Sequence, residues 1–107
     1  MKKLKVKVTI DRPIGYQDAF GNIYPVNYGY ISGVIGGDGE EQDAYILNGP
    51  VNKIDLFIGI VSAIIHRRDD NETKWIVIPE GTSISEEEII TQTYFIEQYF
   101  DTYVELL

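Results

Sequence analysis

Residues 36–47 read Gly-Gly-Asp-Gly-Glu-Glu-Gln-Asp-Ala-Tyr-Ile-Leu, a glycine-led acidic turn followed directly by an apolar strand. Three of its carboxylates, Asp38, Glu40 and Asp43, stand at i, i+2 and i+5 around Gly39. Carboxylates that converge on one point repel each other unless a cation neutralises them, and a hard ion such as Mg²⁺ prefers such oxygen ligands. The alternative is a solvated acidic turn, because glycine and aspartate favour turns without any metal.

The chain as a whole has the size and composition of a single domain, residues 1–107, with 44% hydrophobic residues. Its net charge of -8 argues against binding to nucleic acid or to a membrane surface, since both are anionic. The lack of cysteine excludes disulfides and thiolate metal sites. No signal-peptide pattern and no apolar run of about 18 residues is present, so we expect a cytoplasmic location.

Alternating apolar and polar residues predict several strands. Leu4, Val6, Val8 and Ile10 alternate with lysines and a threonine, and Pro13 ends this strand. Further strands are predicted at residues 43–47, 55–66 and 74–78. Gly59, inside the longest of them, predicts a bulge or a bend of a barrel.

One helix is predicted near the C-terminus. Ser85 and Glu88 form a capping box, which marks the helix start. A helical stripe follows, with two tyrosines at its edge: Ile89, Thr93, Ile96 and Phe100, with Tyr99 and Tyr103. We therefore predict a mainly β (α+β) fold, a small five-stranded β-barrel with one C-terminal helix from about residue 85 to residue 100.

A second acidic group, Asp69, Asp70 and Glu72, stands just before Lys74. Both acidic groups lie at the ends of predicted strands, so a barrel can bring them to one rim. Two carboxylate groups that share cations are what two-metal phosphoryl hydrolysis requires. A charged hairpin loop is the alternative interpretation of the second group.

Two motifs together resemble a known family. Residues 24–31 read Tyr-Pro-Val-Asn-Tyr-Gly-Tyr-Ile, and residues 38–43 read Asp-Gly-Glu-Glu-Gln-Asp. They are similar to the Y-P-x-N-Y-G-Y/F-I and D-G-D-P-x-D motifs of the family I inorganic pyrophosphatases. The resemblance implies an OB-like five-stranded barrel that uses Mg²⁺, or Mn²⁺ in its place, to hydrolyse pyrophosphate to two phosphates.

The resemblance also implies roles for single residues. The implied metal ligands are Asp38, Glu40, Asp43, Glu72 and one of Asp69 and Asp70, of which we choose Asp70. Glu40 is expected to help activate the attacking water, and Lys74 to act with it on the phosphate. The implied substrate-binding residues are Tyr28, Lys74 and Tyr99, and Arg67 is expected to add positive charge.

The sequence departs from the family pattern on its cationic side. Gly15 and Gln17 occupy the positions of a lysine and a glutamate, the family arginine before Tyr24 is absent, and Phe100 replaces a lysine. Two alternatives therefore stay open: a metal-dependent hydrolase of another phosphoanhydride, or a non-catalytic binding module on the same barrel. A small phosphate-containing substrate is the expected partner, and a homo-oligomer is left open.

Overall fold

The computed structural model describes residues 3–107, so the predicted domain start at Met1 lies outside the described residues. Six strands and one helix follow each other along the chain. They are β1 (Lys5–Arg12), β2 (Tyr28–Ile35), β3 (Glu41–Ile46), β4 (Leu56–Arg67), β5 (Thr73–Ile78), α1 (Glu86–Glu97) and β6 (Thr102–Leu106).

Five of the strands close into a barrel in the order β1-β2-β3-β5-β4, and β4 pairs back onto β1. The β3–β5 pair is parallel and the other pairs are antiparallel. Strand β4 is long enough, at 12 residues, to pair with β1 through its first part and with β5 along the rest. The predicted five-stranded barrel with one helix is confirmed.

The bend that Gly59 predicts lies where β4 passes from one neighbour to the other. A Cβ at Gly59 would stand 2.5 Å from the carbonyl oxygen of Ile78, so only glycine lets the two strands approach this closely. The β4–β5 register also shifts between Val61 and Ala63. A tight crossing followed by a bulge is how a long strand turns a barrel corner.

Neither β2 nor β6 was predicted as a strand, and β6 follows the helix. The helix ends at the cap residue Gln98, and residues after Asp101 pair with the second half of β4. Tyr103, which the helical stripe placed on the helix, therefore lies in β6, where its ring stacks on His66 at 4.8 Å. The short strand covers an edge of β4 that helix continuation would have left open.

Two apolar cores lie on opposite faces of the barrel wall. The interior is filled from all five barrel strands by Val6, Val8, Ile31, Ala44, Ile46, Val61 and Val77. The outer face of β2, β3, β5 and β4 carries the other set, including Tyr28, Tyr45, Ile65 and Ile76, against Ile89 of α1. Successive strand residues alternate between these faces. The outer face under the helix is the one that carries the charged residues described below.

The start of α1 is as the capping box predicts. Ser85 Oγ accepts a hydrogen bond from Glu88 N–H at 3.1 Å, and Glu88 Oε1 accepts one from Ser85 N–H at 3.1 Å. The helix buries Ile89, Thr93 and Glu97 against the barrel. Within residues 3–107, no helix combines the length and the apolar character needed to cross a membrane.

Candidate functional site

Three apolar stripes on the outer face of the barrel each end in a charged residue. They are Leu47-Tyr45-Asp43 on β3 and its end, Ala63-Ile65-Arg67 on β4, and Ile78-Ile76-Lys74 on β5. The parallel pairing of β3 and β5 sets Asp43 directly beside Lys74. Strand register therefore places opposite charges side by side at one end of the outer face.

Lys74 is almost fully buried, with 4% of its surface exposed. Its ammonium group donates to Asp43 Oδ2 at 2.7 Å, to the Tyr28 hydroxyl at 2.9 Å and to Glu72 Oε1. An ammonium has three donors, so all three are engaged. A phosphate that contacts Lys74 must take the place of one of these partners.

A second group of paired side chains lies beneath the helix and consists of Arg67, Glu97 and Tyr45. The Arg67 guanidinium donates to both oxygens of Glu97, from Nε at 3.1 Å and from Nη2 at 2.9 Å, and to Glu72 Oε2 at 2.8 Å. Tyr45 donates its hydroxyl to Glu97 Oε2 at 2.6 Å. We call Asp43, Glu72, Lys74, Arg67 and Glu97 the paired-charge cluster. Buried charges persist only when they are paired and hydrogen-bonded in this way.

The burial of this region shifts the proton affinities of its tyrosines. Burial, reinforced by nearby Asp43, raises the pKa of Tyr28 far above its usual value of 10.0. Burial, reinforced by Glu97, also raises the pKa of Tyr45 well above 10.0. Both side chains are therefore neutral phenols at any physiological pH.

A cavity of about 570 Å³ opens beside the cluster, between the barrel and the end of α1. Its lining residues are Asp11, Arg12, Asp18, Phe20, Asn22, Tyr24, Tyr28, Asp43, Tyr45, Arg67, Glu72, Lys74, Ile96, Tyr99 and Phe100. Four of these are carboxylates and three are cations. An anionic ligand therefore needs either an unengaged cation of the protein or a cation of its own.

Arg12 supplies the unengaged cation. A bulge between Ile10 and Arg12 shifts the β1–β2 register and sets Arg12 opposite Tyr28, on the outer face. Its guanidinium lies 5.3–5.8 Å from the ring centres of Tyr16, Tyr24 and Tyr28 and donates to the Tyr24 hydroxyl. Within residues 3–107 it forms no salt bridge. Most of its five donors are free for a ligand.

The proton on Arg12 is secure despite its partial burial. Burial alone would lower the pKa of Arg12, but the Tyr24 hydrogen bond and the surrounding phenols outweigh it, so that the pKa is raised. Arg12 is a fixed positive charge in the cavity. Arg12 was not predicted as a site residue, because Asp11-Arg12-Pro13 indicates only the end of a strand, and alternation cannot reveal a bulge.

The predicted site residues divide into two groups. Tyr28, Asp43, Arg67, Glu72, Lys74 and Tyr99 all line the cavity. Asp38, Glu40 and Asp70 do not. Asp38 and Glu40 are exposed in a tight turn in which Gly36 N–H donates to Glu40 O at 2.7 Å, and Asp38 Oδ1 accepts from Glu40 N–H at 3.0 Å.

The two acidic loops nevertheless lie against each other. A Cβ at Gly37 would stand 2.4 Å from the carbonyl oxygen of Asn71, so glycine lets the backbones touch. Asp70 Oδ1 accepts a hydrogen bond from Glu72 N–H, which ties that carboxylate to its own turn. Although the two loops are in contact, the side chains of Asp38, Glu40 and Asp70 do not line the cavity.

The carboxylates of this region are not arranged as a metal site. Within the described residues, no group of three or more Asp, Glu or His side chains is arranged to hold a metal ion. Asp43 and Glu72 both contact Lys74, and Glu72 also contacts Arg67. The resident metal site of five carboxylates that the resemblance implies does not fit this arrangement, because protein cations already neutralise Asp43 and Glu72 and the other three carboxylates lie outside the cavity.

Glu97 is another residue that the sequence analysis missed. It follows Thr93 by four positions and Ile89 by eight, so it lies on the buried stripe of α1. A carboxylate on a buried stripe needs a cationic partner. That signal was present in the sequence, but the partner, Arg67, comes from a strand thirty positions away.

Comparisons with known proteins bear on the fold. Neither a family model nor a curated protein matches the sequence. Solved structures do match. The inorganic pyrophosphatase of Ehrlichia chaffeensis aligns over 95% of this chain and 85% of its own, with 15% identity and a TM-score of 0.70. The chain has the fold of the inorganic pyrophosphatases.

Two further pyrophosphatases agree. That of Helicobacter pylori aligns over 100% of this chain and 86% of its own, with 16% identity and a TM-score of 0.67. That of Coxiella burnetii aligns over 99% and 85%, with 18% identity and a TM-score of 0.66. The resemblance found in the sequence is thus confirmed at the level of the fold. In this pyrophosphatase fold, the cavity lies beside the Tyr28 and Asp43 motif residues.

Proposed function

We propose that the chain binds magnesium pyrophosphate in this cavity and hydrolyses it to two phosphates. The observation that carries the proposal is the convergence of Arg12, Lys74, Asp43 and Glu72 on one cavity of a pyrophosphatase fold. Arg12 and Lys74 supply positive charge, and the two carboxylates supply hard oxygens. A cytoplasmic location belongs to the same proposal.

Arg12 is the group that meets the phosphate first, because its donors are not occupied by a carboxylate. Lys74 follows by exchanging one carboxylate for a phosphate oxygen. Each charge-assisted hydrogen bond contributes about 1.5–3 kcal/mol, so this exchange is close to balanced. The substrate therefore binds by rearranging the paired-charge cluster.

Magnesium enters this proposal as part of the substrate. Mg²⁺ is usually held by one or two carboxylates together with substrate phosphates and water. Asp43 and Glu72, each about 30% exposed, fit that smaller role. Mn²⁺ has the same preference for oxygen ligands and is expected to replace it. Bound to the phosphates, the ion withdraws negative charge from them.

Asp43 is the proposed acceptor of the proton of the attacking water, because Lys74 contacts only its Oδ2 and leaves a second oxygen. The water oxygen bonds to one phosphorus, and the bridging oxygen leaves with the second phosphate. Lys74 and Arg12 stabilise the charge that develops on the phosphate oxygens. Glu40 receives no part in this scheme, since its side chain lies outside the cavity.

A second candidate function is ligand binding without hydrolysis. It is favoured by the position of Asp38 and Glu40 outside the cavity and by the pairing of Asp43 and Glu72 with Lys74. The protein would then hold a phosphate-containing ligand on the pyrophosphatase barrel. Binding measurements and turnover measurements separate the two candidates.

The test is phosphate release from pyrophosphate with and without Mg²⁺, together with calorimetric titration of the same ligand. We expect Mg²⁺-dependent release that Arg12→Gln lowers by about 10²-fold, since one positioned donor to the developing charge is lost. Arg68→Gln is the matched control, because Arg68 is exposed and pairs with Asp101 away from the cavity. Binding without release establishes the second candidate. The absence of both binding and release refutes both candidates.

A further inference from the structure

The mouth of the cavity carries two aromatic side chains that are open to solvent. Phe20 is 90% exposed and Tyr99 is 63% exposed, yet both line the cavity. Ile96 at the end of α1 and Phe100 just after it add to the apolar lining. The buried Lys74 and the charged residues around it mark the floor of the cavity, and the exposed aromatic rings mark its mouth.

The Phe20 ring is carried by a well-defined turn. Asp18 Oδ1 accepts from the N–H groups of Phe20 and Asn22, each at 2.9 Å, and Asp18 Oδ2 accepts from Asn22 Nδ2 at 3.0 Å. Gly21, at φ +87°, allows the reversal and donates to Asp18 O at 3.1 Å. These hydrogen bonds hold the turn in a conformation that exposes the Phe20 ring to solvent.

The same turn is connected to the helix. The Tyr99 hydroxyl donates to Asn22 Oδ1 at 3.4 Å, which sets the two aromatic side chains on neighbouring parts of the mouth. Arg12, at the floor, belongs to the same segment as Phe20, eight positions earlier. A single segment, residues 11–22, thus supplies both a cation and an aromatic ring to one cavity.

Inorganic pyrophosphate makes no use of the aromatic side chains at the mouth of the cavity. It is entirely polar, so it has no surface to place against Phe20 and Tyr99. A volume of about 570 Å³ falls in the range of about 300–1,000 Å³ that suits organic ligands. A flat aromatic ring stacks on Phe and Tyr, and a polyphosphate matches Arg12 and Lys74.

We propose that the same cavity also binds a nucleoside di- or triphosphate, whose phosphates take the place of pyrophosphate and whose base lies on Phe20 and Tyr99. This inference rests on the proposed function, since it gives a substrate class to the same cavity. The phosphates contact Arg12 and Lys74 at the floor, and the base occupies the mouth. Stacking tolerates different bases because each base has a π face.

The experiment compares ligands that share phosphates and differ in the base. Calorimetric titrations with the magnesium complexes of adenosine triphosphate, guanosine triphosphate and inorganic tripolyphosphate are made on the wild type, Phe20→Ala and Tyr94→Ala. We expect the nucleotides to bind about tenfold more tightly than tripolyphosphate. Phe20→Ala removes most of that difference and leaves tripolyphosphate affinity unchanged. Tyr94→Ala, exposed on α1 outside the cavity, changes neither.

The outcomes distinguish this inference from the function on which it rests. Equal affinity for nucleotides and tripolyphosphate, or an equal loss of both in Phe20→Ala, overturns the nucleotide inference. If pyrophosphate is still hydrolysed in that case, the proposed function stands alone. If no phosphate ligand binds, including pyrophosphate, both fall. Phe20 is almost fully exposed, so its replacement leaves the fold intact.

Discussion

The acidic turn at residues 36–40 and the paired-charge cluster both contain Asp and Glu side chains, but the surroundings of these carboxylates differ. In the turn, Asp38 and Glu40 are exposed, and Asp38 Oδ1 accepts a hydrogen bond from the Glu40 N–H. In the cluster, each carboxylate meets a cation that a strand carries, either Arg67 of β4 or Lys74 of β5. Strand pairing fixes a direction for every second side chain, whereas a turn fixes only the path of the backbone.

The largest expected effect comes from removing one partner of the buried part of the cluster. Arg67→Met leaves Glu97 and Tyr45 without their cation, and breaking a buried pair costs about 3–5 kcal/mol. Denaturant unfolding measures the loss. Arg68→Met is the control, because its exposed pair with Asp101 contributes about 0–1 kcal/mol.

A double variant sharpens this result. Replacing both partners, as Arg67→Met with Glu97→Leu, removes the buried charge as well as its cation and is expected to recover part of the lost stability. If Arg67→Met unfolds at the same denaturant concentration as Arg68→Met, the cluster is no more stabilising than a surface pair, and the comparison with the exposed turn fails.

The next largest effect separates the two acidic regions by activity. Lys74→Met is expected to lower phosphate release from magnesium pyrophosphate by about 10²-fold or more, because a cation at the developing charge is lost. Glu40→Gln is expected to change it by no more than about twofold, as for other exposed substitutions. Circular dichroism shows whether each variant is folded.

The sequence alone gives the opposite prediction for Glu40. The family motif makes Glu40 part of water activation, in which case Glu40→Gln removes most turnover while the domain stays folded. A large loss in Glu40→Gln would therefore show that the turn moves into the cavity when substrate binds. A loss confined to Lys74→Met places the chemistry in the paired-charge cluster alone.

The fold was readable from the sequence where periodicity and capping act locally. Alternation located the strand near residues 5–12, runs of β-prone residues located those near residues 56–67 and 73–78, and Ser85 with Glu88 located the helix start. Strand β6 was not predicted because Tyr103 continues the helical pattern in the sequence. Only the open edge of β4 decides that this segment pairs as a strand, and that edge exists only in the folded barrel.

The site was readable in part, for a related physical reason. Tyr28, Asp43, Glu72 and Lys74 were predicted from the family motifs, and all four line the cavity, where the pairing of β3 with β5 sets Asp43 beside Lys74. Arg12 required a bulge, and the pairing of Glu97 with Arg67 required the docked helix. Features that depend on one inserted residue or on a distant partner leave no periodic pattern to detect.

A third prediction concerns the phenols that border the cluster. The unfolded chain releases tyrosine protons near pH 10.0, whereas burial and Glu97 keep Tyr45 protonated and burial and Asp43 keep Tyr28 protonated. The folded state then binds more protons, so stability is full below pH 10 and falls as pH rises above it. The expected slope is about 1.4 kcal/mol per pH unit for each tyrosine.

Denaturant unfolding between about pH 9 and pH 11 measures that slope. Tyr45→Phe and Tyr28→Phe should each make it shallower, while Tyr94→Phe, which is exposed on α1, leaves it unchanged. A wild-type slope equal to that of the double Phe variant would mean that neither phenol is held neutral by its surroundings.

The smallest expected effect is that of magnesium alone on the melting temperature. The family resemblance predicts a resident metal, which at about 100 times its Kd would add about 2.7 kcal/mol and raise the Tm by about 10 °C or more. In this structure, a metal that bridges Asp43 and Glu72 lies against the Lys74 ammonium, which already pairs with both carboxylates. Repulsion between the two cations and weakening of these charge-assisted hydrogen bonds offset most of the gain. We therefore expect Mg²⁺ alone to shift the Tm by less than about 2 °C.

A larger shift should appear only when pyrophosphate is added with Mg²⁺, and Asp43→Asn should reduce it. A rise of about 10 °C with Mg²⁺ alone, absent in Asp43→Asn, would instead show that a metal replaces Lys74 as the partner of these carboxylates.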